Sequence, residues 1–112
     1  MNSKLARSLQ LMNNDKVLSS LGMAMRAGKV ITGDEIVEKA IRAGKAKLVI
    51  IASDASDNTK KKFSDKCNSY DVKLLFTHDR ERLGKAIGKF DRVVIAVTDV
   101  QFSKLIAGHI SQ

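Results

Sequence analysis

The side chains with the most chemical capacity gather between Arg26 and Lys47. Thr32-Gly33-Asp34-Glu35 puts a hydroxyl, a residue without a side chain and a pair of carboxylates at the start of an apolar-periodic run, with Arg26, Lys29, Lys39 and Lys45 around it. Two uses fit this spacing. Thr32 followed three residues later by Glu35 is a capping box, in which each side chain satisfies an otherwise unpaired amide of a helix start. Alternatively, Gly33 lets a partner's backbone come close, Asp34 or Glu35 accepts hydrogen bonds from donors such as guanine imino and amino groups, and the surrounding cations meet phosphates. Acids in the first turn oppose phosphate capture by the helix dipole, so the cationic rim rather than the helix end would hold such charge.

Elsewhere the sequence offers little for catalysis. His78 and His109 stand in different elements with no neighbouring Cys or paired carboxylates, and no nucleophile or metal-ligand set is evident. Cys67 is the single cysteine, so it makes neither an intrachain disulfide nor a multi-Cys zinc site and reads as a small buried hydrophobe. Gly84-Lys85-Ala86-Ile87-Gly88-Lys89 superficially resembles a phosphate loop, but it has one residue too few between its glycines, and Phe90 stands where Ser or Thr would hold magnesium. It predicts a helix end instead, with Gly88 in the left-handed cap and Lys85 and Lys89 complementing the dipole. The expectation is a non-enzyme with no cofactor, metal or small-molecule substrate.

Composition points to an anionic partner. The 112 residues carry 20 Lys and Arg against 12 Asp and Glu, a net charge of +8, which attracts phosphate-rich molecules over long range. Four Phe and one Tyr, with no aromatic pair on adjacent strands, argue against a base-stacking sheet. A second class stays open, a protein-interaction module whose basic surface meets an acidic or ribosomal protein. The first residues, MNSKLARSLQLMNND, lack a secretory apolar core, and no run is long enough for a membrane span, so the chain is expected in the cytoplasm and off the membrane. Residues 1–14, with Lys4 and Arg7 and no acid, read as an N-terminal extension, amphipathic or partner-touching, and 15–112 as one monomeric domain.

The elements that must position these residues follow from hydrophobic period. Val17, Leu18, Leu21, Gly22 and Met25 recur at helical spacing up to a stop near Gly28, and Ile36, Val37, Ala40 and Ile41 do so before Gly44. Lys47–Ala52 (KLVIIA) and Arg92–Val97 (RVVIAV) are short, β-branched and continuously apolar, which predicts interior strands covered on both faces; Val72–Phe76 is a third strand. Helices are predicted over Asp57–Tyr70, capped by Ser56 or Asp57, over Asp79–Ile87, and over Val100–Ile110, capped by Asp99. The order helix, helix, strand, helix, strand, helix, strand, helix implies a three-layer α/β/α sandwich around a small mixed sheet.

GDEIVEKAIRAGKAKLVIIASDAS, NTKKKFSDKCNSYDVKLL, LGKAIGK and RVVIAVTD, in that order, resemble the bacterial YlxQ-type members of the ribosomal-protein family that includes the archaeal kink-turn-binding large-subunit protein and the eukaryotic L-thirty-e protein. The resemblance spans Val17 to roughly Leu105. It implies an α/β/α sandwich and non-catalytic binding to structured RNA, a kink-turn or related internal loop, in the setting of the ribosome. Position by position, the family's Gly falls on Gly33 and its RNA-contacting Lys on Lys39. Its guanine-reading Asn and Glu fall, without a gap, on Glu35 and Ile36, a departure that leaves Glu35 as the polar contact and Ile36 only to pack. The loop that covers a flipped-out nucleotide maps onto Phe90-Asp91-Arg92-Val93, with Arg92 suited to phosphate and Val93 to apolar contact. Asp54 sits where the family has an acid, placed to orient a neighbouring Lys or to cap a loop. Together with Lys29 and Asp34, the residues Gly33, Glu35, Ile36, Lys39, Arg92 and Val93 form the expected RNA surface.

Overall fold

A computed structural model describes residues 16–110 of the chain; the predicted extension over residues 1–14 lies outside that range. The described elements run α1 (16–26), β1 (Val30–Thr32), α2 (Asp34–Arg42), β2 (Leu48–Ile51), α3 (Asp57–Ser69), β3 (Lys73–Phe76), α4 (Arg80–Ala86), β4 (Val94–Val97) and α5 (Val100–Ile110). The sheet order is β1-β4-β2-β3, with β4 antiparallel to both β1 and β2, and β2 parallel to β3.

The continuous apolar runs of β2 and β4 make these the two interior strands, and pleating splits each run between opposite faces. Val49, Ile51, Val94 and Ala96 pack with Val37 and Ile41 of α2 and with Phe63 and Cys67 of α3. Leu48, Ile50, Ile95 and Val97 pack with Val17 and Leu21 of α1, Leu83 of α4 and Ile106 of α5. This is the α/β/α sandwich expected from the element order. Each fully buried Leu, Ile, Val or Phe contributes about 1.5–3 kcal/mol, so the two cores are what hold the loops at the strand ends in register. Cys67 is 2% exposed, and burial pushes its thiol up to about 11, as suits a packing residue.

Local chemistry ends the helices as the sequence implied, with one exception. Ser56, Asp79 and Asp99 cap α3, α4 and α5 by accepting from the amides of Thr59, Arg82 and Phe102 at 3.2, 2.8 and 2.8 Å. At the end of α4 the Lys89 amide donates to the Gly84 carbonyl at 2.9 Å and the Gly88 amide to Lys85 at 3.1 Å, with Gly88 at φ 72, a Schellman ending. The exception is the start of α2. Thr32 does not cap it: Thr32 belongs to β1, a strand absent from the sequence-based order because its three residues fill the gap between a helix stop and a helix start. Strand β4 also begins at Val94 rather than Arg92, leaving Arg92 and Val93 in the preceding loop. Among the described residues no helix is long and apolar enough to cross a membrane.

Candidate functional site

The end of β1 is pinned to the start of β4. The Thr32 hydroxyl donates to the Val94 carbonyl at 2.8 Å, and the Gly33 amide donates to the same oxygen at 3.2 Å. Thr32 lies in β1, one residue before the N-cap Gly33, so the predicted capping box with Glu35 does not form. Gly33 itself is the N-cap, at φ 108 and ψ 144, a conformation that L side chains rarely adopt, and no side chain caps the first turn of α2. The α2 start is therefore bare backbone flanked by Asp34, Glu35 and Ile36, all exposed.

Facing it is the loop from Gly88 to Val93. Its backbone lies against Gly84 of α4 so closely that a Cβ added at Gly84 would stand 1.9 Å from the Phe90 carbonyl oxygen. The Arg92 amide donates to the Arg80 carbonyl at 3.0 Å, and its guanidinium donates to the Asp91 carbonyl at 2.9 Å. Arg80 is held in turn by Asp54. The carboxylate accepts from the Arg80 amide at 3.0 Å and from Nε at 3.2 Å, while Nη2 donates to the Asp54 carbonyl at 2.7 Å. Burial raises the Asp54 carboxyl, but the hydrogen bonds and charge of Arg80 outweigh it and hold the group below its ordinary value. The acid at Asp54 thus orients an Arg rather than a Lys.

Between these two elements lies a recess of about 280 Å³, lined by Gly33 and Asp34, by Arg80, Arg92 and Val93, and by Ser56, the N-cap of α3. Two exposed apolar side chains belong to the elements that flank it, Ile36 at 58% and Phe90 at 92% exposure. A surface that leaves a phenylalanine this open is suited to contact with a partner.

Ion pairs fix the α2 wall to α3. Lys62 Nζ reaches Asp34 Oδ1 at 2.5 Å and Glu38 Oε2 at 3.1 Å, and Glu38 also meets Arg42 at 2.7 Å and Lys66 at 3.5 Å. The Lys62 hydrogen bond lowers the Glu38 carboxyl, and Asp34 followed by Glu38 raises Lys62. Asp34 is thereby partly neutralised, which reduces its opposition to anions at the α2 start. Glu35 forms no ion pair among the described residues and is the freer acceptor.

Of the residues singled out from sequence, Gly33, Asp34, Arg92 and Val93 line the recess, and Glu35, Ile36 and Lys39 lie on the adjoining exposed stretch of α2. Lys29 precedes β1, its carbonyl accepting from the Thr98 amide at 2.9 Å, and so stands at the other end of the strand, about 13 Å along the chain from Gly33. Sequence reasoning did not bring Arg80 to this recess, and it read Ser56 only as the cap of α3. The only signal for Arg80 was its place just after the Asp79 cap, because its pairing with Asp54, 26 residues away, is a tertiary fact. Among the described residues no group of three or more His, Cys, Asp and Glu could hold a metal ion.

Comparison with known proteins agrees with this architecture. The chain belongs to the Ribosomal protein L7Ae/L30e/S12e/Gadd45 family, whose profile matches residues 15–107. It is 52% identical over 88 residues to the RNA-binding protein YlxQ of Bacillus subtilis, covering 78% of this chain and 88% of that protein. The RNA-binding protein YlxQ of Enterococcus faecium is 44% identical over 92 residues, covering 82% and 88%. Among solved structures, a protein of unknown function from Bacillus halodurans superposes with a TM-score of 0.85 at 48% identity, covering 87% of this chain and 98% of that one.

Proposed function

We propose that this chain is a non-catalytic RNA-binding protein that docks kink-turn-like structured RNA at the Gly33–Arg92 recess and works in the cytoplasm in association with the ribosome. The observation that carries this reading is the convergence of a bare, glycine-started helix with an Arg-bearing loop on one recess, in a chain of net charge +8. Membership in a ribosomal-protein family and similarity to proteins named RNA-binding support it.

In this proposal the RNA backbone approaches Gly33, Glu35 accepts from guanine donors, and Lys39 meets phosphate. Arg92 and Arg80 add phosphate contacts, Arg80 pre-aimed by Asp54 so that little side-chain freedom is lost on binding. Val93, with Ile36 and Phe90, packs on an extruded base. A-form duplexes keep their major groove too narrow for side chains, so such a surface reads RNA shape and splayed bases.

Amide chemical-shift mapping of the full chain with a kink-turn RNA tests this assignment. Shifts concentrated at Gly33, Glu35, Lys39, Arg80 and Arg92 are expected. A shift pattern centred on the opposite end of the sheet would remove the recess from the proposal.

A further inference from the structure

At the far end of the sheet from Gly33, a second recess of about 260 Å³ opens beside the starts of β2 and β3. Leu48, Val100 and Ser103 line it, and Lys47, Lys73 and Lys104 stand around it with no carboxylate among the lining residues. Leu48 is buried in the α1/α4/α5 core and pairs in parallel register with Lys73, while Val100 is an exposed large hydrophobe. Lys73 and Lys104 form no ion pair among the described residues, and Lys47 uses one of its three protons on the Gly44 carbonyl at 2.8 Å. Ser103 adds a second, independent observation. Its hydroxyl is buried without a hydrogen-bond partner, the one such side-chain atom among the described residues, and a buried polar group left in this state calls for an explanation.

We propose that this recess is a protein-docking site that takes an apolar side chain of an acidic peptide segment, with the flanking carboxylates of that segment on Lys73 and Lys104. Charge complementarity sets the sign of the partner. Lining sets its class. No aromatic side chain on which a base could stack lines it, whereas the 92%-exposed Phe90 flanks the Gly33–Arg92 recess. A nucleotide is therefore a poorer fit than one aliphatic anchor seated on exposed Val100 and the aliphatic stems of the lining lysines, over buried Leu48, with charges at the rim. Ser103 lies beneath this surface with its hydroxyl closed off from solvent, so a docked segment reaches it only after the α5 wall shifts. The site does not rest on the RNA proposal, since it shares no residue with the Gly33–Arg92 recess.

The probe is a capped pentapeptide with one leucine between two pairs of glutamates, titrated into the isotope-labelled full chain while amide shifts are followed. Its companions are the same peptide with glycine for leucine and a short oligouridylate. Saturable shifts at Leu48, Val100 and Ser103 are expected, weakened about tenfold by the glycine peptide and by the surface double variant Lys73→Glu/Lys104→Glu, whose remaining amide spectrum should stay native. Equal binding of the glycine peptide would reduce the site to bare electrostatics and overturn the anchor. Shifts at these amides with oligouridylate but not with the peptide would overturn it in favour of nucleic acid, and no shifts at millimolar peptide would remove the site.

Discussion

At Gly33 the backbone stands at φ 108 and ψ 144 with nothing nearer than the Ile36 Cδ1, 3.9 Å from where a Cβ would sit. Space is available there; conformation is not, so the glycine is required by the fold before any partner arrives. Gly33→Ala should lower stability by about 1–3 kcal/mol in denaturant unfolding, and an unchanged midpoint would show that the turn relaxes freely. A substitution at this position therefore reports on folding and docking together. Lys39 separates them better, because it is exposed and makes no ion pair among the described residues. If it contacts phosphate, Lys39→Ala weakens RNA binding and reduces the slope of log affinity against log salt by about one, with unfolding unaffected. A parallel shift of the salt plot, its slope unchanged, would take Lys39 off the phosphate path.

The loop Gly88–Val93 keeps its place because Gly84 offers it a side-chain-free surface, with the Phe90 carbonyl carbon only 2.5 Å from a hypothetical Cβ. Gly84→Ala should therefore push the loop off α4 and cost about 1–3 kcal/mol, and, if Arg92 contacts phosphate, it should weaken RNA binding as well. Native stability in that variant would contradict the close approach. The α2–α3 pairing carries a pH signature. Glu38 has a lowered folded pKa, so the stability it contributes is present above its unfolded value of 4.5 and is lost as pH falls through the lower folded value. Lys62, raised in the fold, contributes below its unfolded value of 10.5 and loses that contribution as pH rises through the raised one. Glu38→Gln should flatten the acid limb of a stability-versus-pH curve, and an unaltered limb would mean that this exposed network adds nothing measurable. What sequence could show at this scale followed from signals held within a few residues. The LVII and VIAV runs announced interior strands, and Ser56, Asp79 and Asp99 announced helix starts. The Thr32 cap failed because pairing with β4 draws Thr32 into β1 and moves the helix start to Gly33, and β1 was hidden because a strand of three residues is defined by its partner β4 rather than by its own pattern.

Across the whole molecule, α1, α4 and α5 cover one sheet face and α2 and α3 the other, which leaves the two ends of the sheet to carry the recesses. Gly33 was legible as a residue without a side chain at the start of an apolar-periodic run, and Arg92 only through the family resemblance. Arg80 was not, since its orientation comes from Asp54 across the sheet end, and the lysines at the opposite end come from three separate segments that only the fold unites. The net charge of +8 draws any polyanion to the surface, so affinity for RNA alone says little about recognition. The decisive measurement is a binding titration at fixed salt of the full chain against a kink-turn RNA and the same RNA with its tandem G·A pairs replaced by Watson–Crick pairs. Shape recognition at the Gly33–Arg92 recess predicts strong preference for the intact motif that persists as salt is raised. Equal, steeply salt-dependent binding to both RNAs would contradict it and leave the basic surface as an electrostatic platform.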